Sequence, residues 1–457
     1  MHRDSRRAGR LCATESVASE HRATLWTGYC PARFRPGNSR FSGRGIHVSA
    51  TTASNAPTER VPATLIVLLG LLAVLGPLTI DLYLPAFPEM QGDLATSPSR
   101  VQLTLTAATI GFALGQLVVG PWSDAVGRRR PLLVATSAHV LASIAIVAAP
   151  DITWVLILRV VQGAGAAGGG VVATAMIRDV AEGRQLIRGL ARVALFTGIA
   201  PIAAPFVGAQ LMSVTDWRGI FAVVAVYGAA MVLLCLVRLP ETLPQHRRAE
   251  RSTTRAVWRG YRTLLRNRRF VGIALIGGLM VSSVFAYLSS SSFLFQEEYR
   301  LSPQSYGAIS AVNAVAFVVG TQVAAFFAQR YSPVRVLWCI LPLMATSGLL
   351  LSLVSIGSTE VAPLVGVMIV FFTLAGGCGP CLGAIALADQ AERAGTAAAL
   401  LGAANFGLAG IASPIVGVLG LTSAVPLGLV IASAMTLATV LLGVLVSRSP
   451  SRTTAHP

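Results

Sequence analysis

Twelve apolar stretches, each about twenty residues or longer, divide the chain between residues 63 and 446. A helix needs about 20 apolar residues to cross the hydrocarbon core of a bilayer. Only 12% of the 457 residues are charged and 54% are hydrophobic, whereas soluble domains carry about 25% charged residues. The sequence therefore predicts an all-α membrane protein with twelve transmembrane helices. We place these spans at 63–87, 101–121, 131–149, 152–176, 190–212, 219–238, 270–293, 305–328, 335–356, 361–387, 396–420 and 423–446.

Arginine is distributed unevenly between the two sets of connections. All 36 basic residues are arginines, and they cluster at 128–130, 178–192 and 247–269, whereas the opposite set of connections is mostly acidic. Since cytoplasmic loops collect basic residues, we expect a multi-pass protein of the inner (plasma) membrane with both termini in the cytoplasm. The same bias accounts for the net charge of +17, so no nucleic-acid partner is expected.

The two halves of the membrane region resemble each other. Residues 111–133 (GFALGQLVVGPWSDAVGRRRPLL) align with residues 316–338 (AFVVGTQVAAFFAQRYSPVRVLW), which places Gly115 opposite Gly320. Asp179 falls opposite Asp389 at nearly the same offset. Repeats of this kind relate the two halves of many transporters. We predict a disordered Arg-rich tail at 1–60, a six-helix bundle at 61–238, a basic cytoplasmic linker at 239–269, a second six-helix bundle at 270–446 and a cytoplasmic tail at 447–457.

The segment LRVVQGAGAAGGGVVATAM (158–176) contains the letters of a dinucleotide-binding fingerprint, G-x-G-x-x-G, from Gly163 to Gly168. That fingerprint works between a β-strand and the start of a helix. Here the surrounding residues are apolar or small over a length that suits a membrane span. We therefore interpret the glycines as surfaces for close packing between membrane helices.

Cys378 and Cys381 spell the C-x-x-C pattern inside the apolar segment FFTLAGGCGPCLGAIAL. A redox centre of this type needs a partly exposed thiolate beside a βαβ unit, so we interpret the pair as two small buried side chains. A membrane redox enzyme remains an alternative, which replacement of both cysteines with serine separates from a transporter. The sequence shows no metal-ligand cluster or hydrolytic triad, and without lysine it has no Walker A loop. We expect neither an enzyme nor a cofactor.

The segment GPWSDAVGRRR (120–130) lies where the second span meets the third. It resembles the G-x-x-x-D-x-x-G-R-R signature of the major facilitator superfamily, which implies two six-helix bundles around a central cavity. The Asp124 carboxylate is expected near Gly395 and Thr396, where a helix dipole favours an anion. Arg128 or Arg129 is expected to pair with Asp179, and the glycines to allow a tight turn and close helix approach. The predicted cytoplasmic gate comprises Gly120, Asp124, Gly127, Arg128, Arg129 and Asp179.

The segment GPLTIDLYLPAFPEM (76–90) closes the first span. It resembles the corresponding motif of drug-exporting facilitators, particularly the bicyclomycin-resistance (Bcr/CflA-type) family. Asp81 is the one carboxylate well inside a span, where a charge costs at least about 2.5 kcal/mol and usually marks function. We expect Asp81 to carry protons or to line the cavity together with Tyr83. A structural role beside the neighbouring prolines stays open.

Arg159 and Gln162 belong to a further motif, R-x-x-Q-G, which resembles the fourth span of the same superfamily. The resemblance implicates this arginine in proton transfer. Because a guanidinium does not deprotonate in proteins, we assign Arg159 to tuning a neighbouring acid or water. A purely structural hydrogen-bonding hub is the other possibility. Gln102, at the start of the second span, completes the predicted coupling and cavity residues.

The segment GIAPIAAPFVGAQL (198–211) resembles the P-x-x-x-P-x-x-G antiporter motif through Pro201, Pro205 and Gly208. In the family this motif is associated with exporters, although proline and glycine are also generally common in membrane helices. The resemblance implies proton-coupled efflux of small amphipathic compounds by alternating access. We expect a monomer whose partners are its small-molecule substrate, protons and the lipid bilayer. The alternative is a proton-coupled transporter of a metabolite, such as an amino acid, sugar or organic acid.

Overall fold

Helices make up the computed structural model, which describes residues 62–245, 248, 254–357, 360–388, 394–419 and 424–447. The α-helices are α1 Ala63–Asp81, α2 Phe87–Asp93, α3 Pro98–Val126, α4 Arg129–Val147, α5 Ile152–Val180, α6 Gly183–Leu211, α7 Trp217–Arg238, α8 Thr254–Arg266, α9 Arg268–Phe293, α10 Pro303–Tyr331, α11 Pro333–Gly357, α12 Val361–Ala388, α13 Ala394–Leu419 and α14 Val425–Ser447. A 3-10 turn, Leu84–Ala86, connects α1 to α2, and a π-helical turn, Leu294–Glu298, extends α9.

Within the described residues, eleven helical segments are long and apolar enough to cross a membrane, and α13 adds a shorter apolar stretch, Thr396–Ile411. This confirms the predicted all-α, twelve-helix membrane protein. Large apolar side chains such as Leu141, Leu353 and Val226 are exposed on the outer helix faces, as expected of surfaces that face lipid. The predicted tail 1–60 lies outside the described residues, as does all but Ser447 of the predicted tail 447–457.

Several helix boundaries differ from the predicted spans. Helices α3, α5 and α6 each run for 29 residues, because their polar ends continue the helix beyond the apolar stretch that the sequence marks. The first span instead ends its α-helix at Asp81. The predicted linker 239–269 contains a further helix, α8.

The glycine-rich segment of α5 is helical, which confirms its interpretation as a packing surface. Gly163 lies against the Ala108 carbonyl of α3, Gly165 against the Ala135 carbonyl of α4, and Gly169 against the Leu72 carbonyl of α1. A Cβ atom at any of these three glycines would overlap the neighbouring backbone. The glycines therefore let α5 approach three helices at once.

The two halves repeat the same close packing. Gly115 of α3 lies against the Ala164 carbonyl of α5, and Gly320 of α10 lies against the Thr373 carbonyl of α12. These are the glycines that the sequence alignment placed opposite each other. Helices α1 and α3–α7 form one bundle and α9–α14 the other. Asp389 lies outside the described residues, so its match to Asp179 stays a prediction.

The two bundles contact each other along their length. We call the end that carries the 126–129 turn the basic end. At the opposite end, the Phe87 and Phe293 rings lie 5.8 Å apart, and Gln296 Nε2 donates to the Pro85 carbonyl at 3.0 Å. Near the middle, the rings of Phe112 of α3 and Phe406 of α13 contact each other at a tilt of 52°, with 4.7 Å between their centroids. Residues distant in the sequence thus meet at one interface between bundles.

Cys378 and Cys381 are fully buried in α12, which confirms the interpretation of the C-x-x-C pattern as buried side chains. Cys378 Sγ lies 3.7 Å from Met344 Sδ of α11. A reactive dithiol needs access to its partner, so this location argues against the alternative of a redox enzyme.

Candidate functional site

Arg128, at the start of α4, is the centre of a polar cluster at the basic end. Its side chain is 3% exposed and contacts α3 and α5 together. Nε donates to Asp179 Oδ2 at 2.7 Å and Nη2 to Asp179 Oδ1 at 3.2 Å. Nη1 donates to Asp124 Oδ1 at 2.6 Å and to Ser123 Oγ at 2.9 Å. The predicted pairing with Asp179 is therefore made by Arg128.

Burial alone lowers the pKa of Arg128, but the hydrogen bonds and charges of Asp179 and Asp124 outweigh burial and raise it. The guanidinium is thus a permanent cation held between two carboxylates. Such a charge-assisted, two-point contact is among the stronger polar interactions in proteins. It ties the ends of α3, α4 and α5 together.

Arg129, the other candidate for the Asp179 pair, contacts α7 instead. Its Nη2 donates to the Leu236 carbonyl of α7 at 2.6 Å, so it does not form the Asp179 pair. The side chain of Asp124 is 42% exposed and forms an ion pair with Arg128. Its predicted contact with the N-terminus of α13 stays a prediction.

Glu241 was not predicted from the sequence. This residue follows the end of α7. Its carboxylate accepts hydrogen bonds from the backbone N–H groups of Arg128 at 2.9 Å and Arg129 at 3.2 Å. Burial alone raises the pKa of Glu241, but these bonds, a third from Leu243 and the charge of Arg248 lower it below its usual value. The carboxylate therefore stays ionised at neutral pH. Its stabilising effect is lost only as the pH falls through that lowered pKa.

The two motif glycines differ in their surroundings. Gly127 adopts φ +103° in the turn before α4, and a Cβ there would lie 2.5 Å from Glu241 Oε2. This agrees with the tight turn that we predicted. Gly120 lies inside α3, where a Cβ would make an ordinary 3.4 Å contact with Val171. The prediction that Gly120 serves a turn or a close helix approach is wrong, because α3 continues through it to Val126.

Gly127→Ala should lower the free energy of unfolding by about 1–3 kcal/mol, since alanine is strained at this φ and would displace the Glu241 carboxylate. Gly120→Ala is the matched control and should be neutral or stabilising by up to about 1 kcal/mol, as expected of a helical glycine. Thermal unfolding of the purified protein in one detergent measures both. Equal midpoints for the two variants would contradict this assignment.

Asp81 is the last residue of α1, and it is only 6% exposed. No cationic side chain of the described residues lies within ion-pair distance of it. The 3-10 turn Leu84–Ala86, which closely follows Asp81, contacts α9 and α10 of the other bundle. The carboxylate is thus buried near the interface between the bundles, without a counter-charge among the described residues.

Arg159 is fully buried in α5, and carbonyl oxygens surround its guanidinium. Nη1 donates to the Thr79 carbonyl at 2.9 Å and to Gln162 Oε1 at 2.6 Å. Nε donates to the Thr104 carbonyl at 3.3 Å. Nη2 is buried without a hydrogen-bond partner among the described residues. Of the two predicted roles, neighbour of an acid and hydrogen-bonding hub, the contacts in this state fit the hub, since no carboxylate of the described residues pairs with Arg159. It fixes the last turn of α1, two residues before Asp81.

Tyr83 covers this guanidinium. The Arg159 Cζ atom lies 4.2 Å from the centroid of the Tyr83 ring, which adds a cation–π interaction. The Tyr83 hydroxyl is hydrogen-bonded to Thr104 Oγ1 at 3.0 Å. Tyr83 therefore connects Arg159 with the region around Asp81.

The polar network continues from Gln162 to two residues of α4 that the sequence analysis missed. Gln162 Nε2 donates to Ser143 Oγ at 2.8 Å, and His139 Nδ1 lies 3.1 Å from the Gln162 carbonyl. His139 is fully buried. A histidine within a membrane span is uncommon, so its presence in the third span was a usable signal.

A stripe of polar side chains on α3 faces the other bundle. Gln102 is fully buried, and neither its Oε1 nor its Nε2 has a partner among the described residues. Gln116, on the same helix face, approaches Gly402 of α13. In the second bundle, Asn313 Oδ1 and Asn405 Oδ1 are also buried without a partner. Buried polar atoms are normally satisfied, so these groups suit a bound polar molecule or water.

The antiporter motif lies where α6 passes the end of α1. Gly208 packs against the Leu82 carbonyl, the residue after Asp81, so closely that a Cβ would overlap it. The Pro205 carbonyl approaches Gly307 of α10 in the second bundle. Pro201 lies one turn earlier inside the same unbroken helix. The motif therefore borders both Asp81 and the interface between bundles.

Two six-helix bundles with an arginine–carboxylate cluster at one end and a buried acid near the other define the class of two-bundle membrane transporters. The chain belongs to the Major Facilitator Superfamily, whose family profile matches residues 69–414. This agrees with the resemblance that the 120–130 segment carries.

Several relatives cover most of this chain. It is 37% identical to the uncharacterized MFS-type transporter YdgK of Bacillus subtilis (strain 168), over 81% of this chain and 92% of that protein. It is 27% identical to a bicyclomycin resistance protein homolog of Haemophilus influenzae, over 79% and 91% of the two chains. It is 29% identical to multidrug resistance protein D of Escherichia coli (strain K12), over 74% and 84%.

The fold also matches solved structures. The xylose transporter XylE from E. coli, in a partially occluded inward open conformation, superposes with a TM-score of 0.63 at 15% identity, over 86% of this chain and 100% of that chain. At this identity the likeness concerns the fold alone. It agrees with the predicted fold of two six-helix bundles.

Proposed function

We propose that this protein exports small amphipathic compounds, antibiotics among them, in exchange for protons. The observation that carries the proposal is Asp81, a buried carboxylate near the interface between the bundles that has no counter-charge among the described residues. The names of the relatives from H. influenzae and E. coli, which refer to bicyclomycin and multidrug resistance, support the choice of substrate class.

Coupling follows from what happens to Asp81 when the bundles rock. An ionised carboxylate buried without a partner is costly, so Asp81 takes up a proton from the outside before the end opposite the basic end closes. When the basic end then opens, water reaches Asp81 from the cytoplasmic side, and the carboxyl group releases its proton to the cytoplasm. Proton occupancy therefore shifts the equilibrium between the two states, which is the requirement for exchange.

The lining of the bundle interface suits amphipathic compounds. The amide of Gln102 and the amide oxygens of Asn313 and Asn405, which have no partner among the described residues, offer hydrogen bonds, while the Phe112–Phe406 pair offers an aromatic surface. Ligand sites commonly combine an apolar wall with a few polar groups. Arg159, Gln162 and Tyr83 then position Asp81 rather than contact the compound.

The Arg128 cluster is the proposed gate at the basic end. In this proposal the basic end faces the cytoplasm of a cell whose inner membrane holds the protein, and both termini lie inside. A proton gradient supplies the energy, so no further cofactor is required. The transporting unit is a monomer, since one chain provides both bundles.

Asp81→Asn should abolish efflux driven by a pH gradient in energised vesicles while leaving substrate exchange without a gradient intact. The amide keeps the shape of the carboxylate but cannot release a proton. Glu298→Gln is the matched control, because Glu298 is an exposed acid at the same end of the molecule, and it should transport normally. Undiminished gradient-driven efflux in Asp81→Asn would remove Asp81 from the coupling.

The substrate class is tested separately. A strain that carries the protein should become less susceptible to several antibiotics than the same strain without it. If susceptibility is unchanged and vesicles instead accumulate a labelled amino acid, sugar or organic acid, the metabolite transporter replaces drug export.

A further inference from the structure

Helix α8 has three distinct faces. Tyr261 and Leu264 are 9% and 1% exposed and pack against the protein. Trp258 and Leu265 are 71% and 58% exposed. At 100° per residue, the exposed Arg262 projects next to Trp258 around the helix axis. An exposed apolar ridge therefore lies directly beside a basic one.

The position of α8 along the membrane normal follows from its contact with α3. The Tyr261 hydroxyl donates to the Leu117 carbonyl at 3.4 Å. Leu117 precedes the end of α3 at Val126 by nine residues, or about 13 Å along the helix. Because α3 has 29 residues and exceeds the roughly 30 Å hydrocarbon core, its last turns project beyond that core. Helix α8 therefore lies at the boundary between hydrocarbon and headgroups.

The charge carried by the segment that contains α8 has one sign. Between residues 251 and 269 the sequence has seven arginines and no acidic residue. Arg262 and Arg266 are exposed, and with Trp258, Tyr261 and Leu265 they line a surface depression of about 270 Å³. Aromatic, aliphatic and guanidinium groups thus converge on one shallow site.

We propose that α8 is an interfacial helix that binds the headgroup of an anionic phospholipid between Arg262 and Arg266, with the acyl chains against Trp258 and Leu265. Helices with an apolar ridge and arginines beside it lie in the plane of the bilayer surface. The arginine stems cover apolar surface while their guanidinium groups reach the phosphate. Charge complementarity selects phosphatidylglycerol-type headgroups over zwitterionic ones.

The test uses the full chain in nanodiscs of phosphatidylcholine with increasing phosphatidylglycerol, and native mass spectrometry counts the retained phosphatidylglycerol. Arg262→Gln/Arg266→Gln should weaken its binding about 30-fold, at about 1 kcal/mol for each arginine near an anionic surface. Arg330→Gln/Arg335→Gln removes two exposed charges from the same end and should change nothing. Equal retention by the two double variants would overturn the proposal.

Two further arms separate the possible ligands. Millimolar inorganic phosphate should leave phosphatidylglycerol binding unchanged, and competition by it would show a free-phosphate site instead of a lipid site. Lipids brominated near the headgroup should quench the fluorescence of Trp258. The Trp258 contribution is the part of the protein fluorescence that is lost in Trp258→Phe. Absence of that quenching would place α8 in water, where an acidic protein is the better occupant, and would refute a lipid site. Neither arm depends on transport activity, so the outcome is independent of the proposed function.

Discussion

Arg128→Met should lower the free energy of unfolding by about 3–5 kcal/mol, because it leaves a buried carboxylate without its cation. The Asp179 side chain is 6% exposed, and both of its oxygens accept from Arg128. Thr242 Oγ1 remains as a partner at 3.2 Å, but a hydroxyl does not neutralise the charge. Chemical unfolding of the purified protein in detergent measures the change.

The same experiment has internal controls. Arg130→Met removes an exposed arginine from the same segment and should alter stability by less than about 0.5 kcal/mol. Arg128→Met combined with Asp179→Leu removes both charges and should recover a large part of the loss, since an apolar pair of similar volume often replaces a buried ion pair. If the double variant is as unstable as the sum of the single ones, the unpaired charge is not the cause.

Local sequence patterns were sufficient for the membrane fold and part of the gate. The length of an apolar stretch directly reports a transmembrane helix. The motif places Asp124 four residues before Arg128, across the Gly127 turn, so one of its two acidic partners was almost adjacent in the sequence. Asp179 required the resemblance to a known family, because 51 residues separate it from Arg128.

Contacts between distant segments were not predictable from spacing. Glu241 reaches the start of α4 across more than a hundred residues, and nothing in its immediate sequence marks it. The expected pairing of Arg159 with an acid is not seen, because its buried guanidinium donates to the Thr79 and Thr104 carbonyls and to Gln162 instead. Which partner it takes depends on how α1, α3 and α5 pack.

Helix α8 was a different kind of omission. Its tyrosine, leucines and tryptophan recur with helical periodicity, and four of its thirteen residues are arginines. We interpreted this segment by charge alone, as a basic linker. Periodicity in a charged segment indicates an amphipathic helix, so the signal was present in the sequence.

Arg159→Lys should reduce transport at least about tenfold although it keeps the positive charge. The planar guanidinium serves the Thr79 carbonyl of α1, the Thr104 carbonyl of α3 and Gln162 within α5. An ammonium is a compact point charge that does not reproduce this fork. Losing one hydrogen bond to a charged group costs about 1.5–3 kcal/mol, enough to release the last turn of α1 from its position.

Because that turn carries Asp81, the pH dependence of transport distinguishes positioning from mere structural support. In Arg159→Lys the pH at half-maximal efflux should shift, whereas a variant that is only less stable should lose amplitude at an unchanged midpoint. Arg178→Lys is the matched control, since Arg178 is exposed on the same helix, and it should keep both amplitude and midpoint. An Arg159→Lys protein with normal efflux and an unchanged midpoint would show that charge alone suffices, and that the carbonyl contacts do not place Asp81.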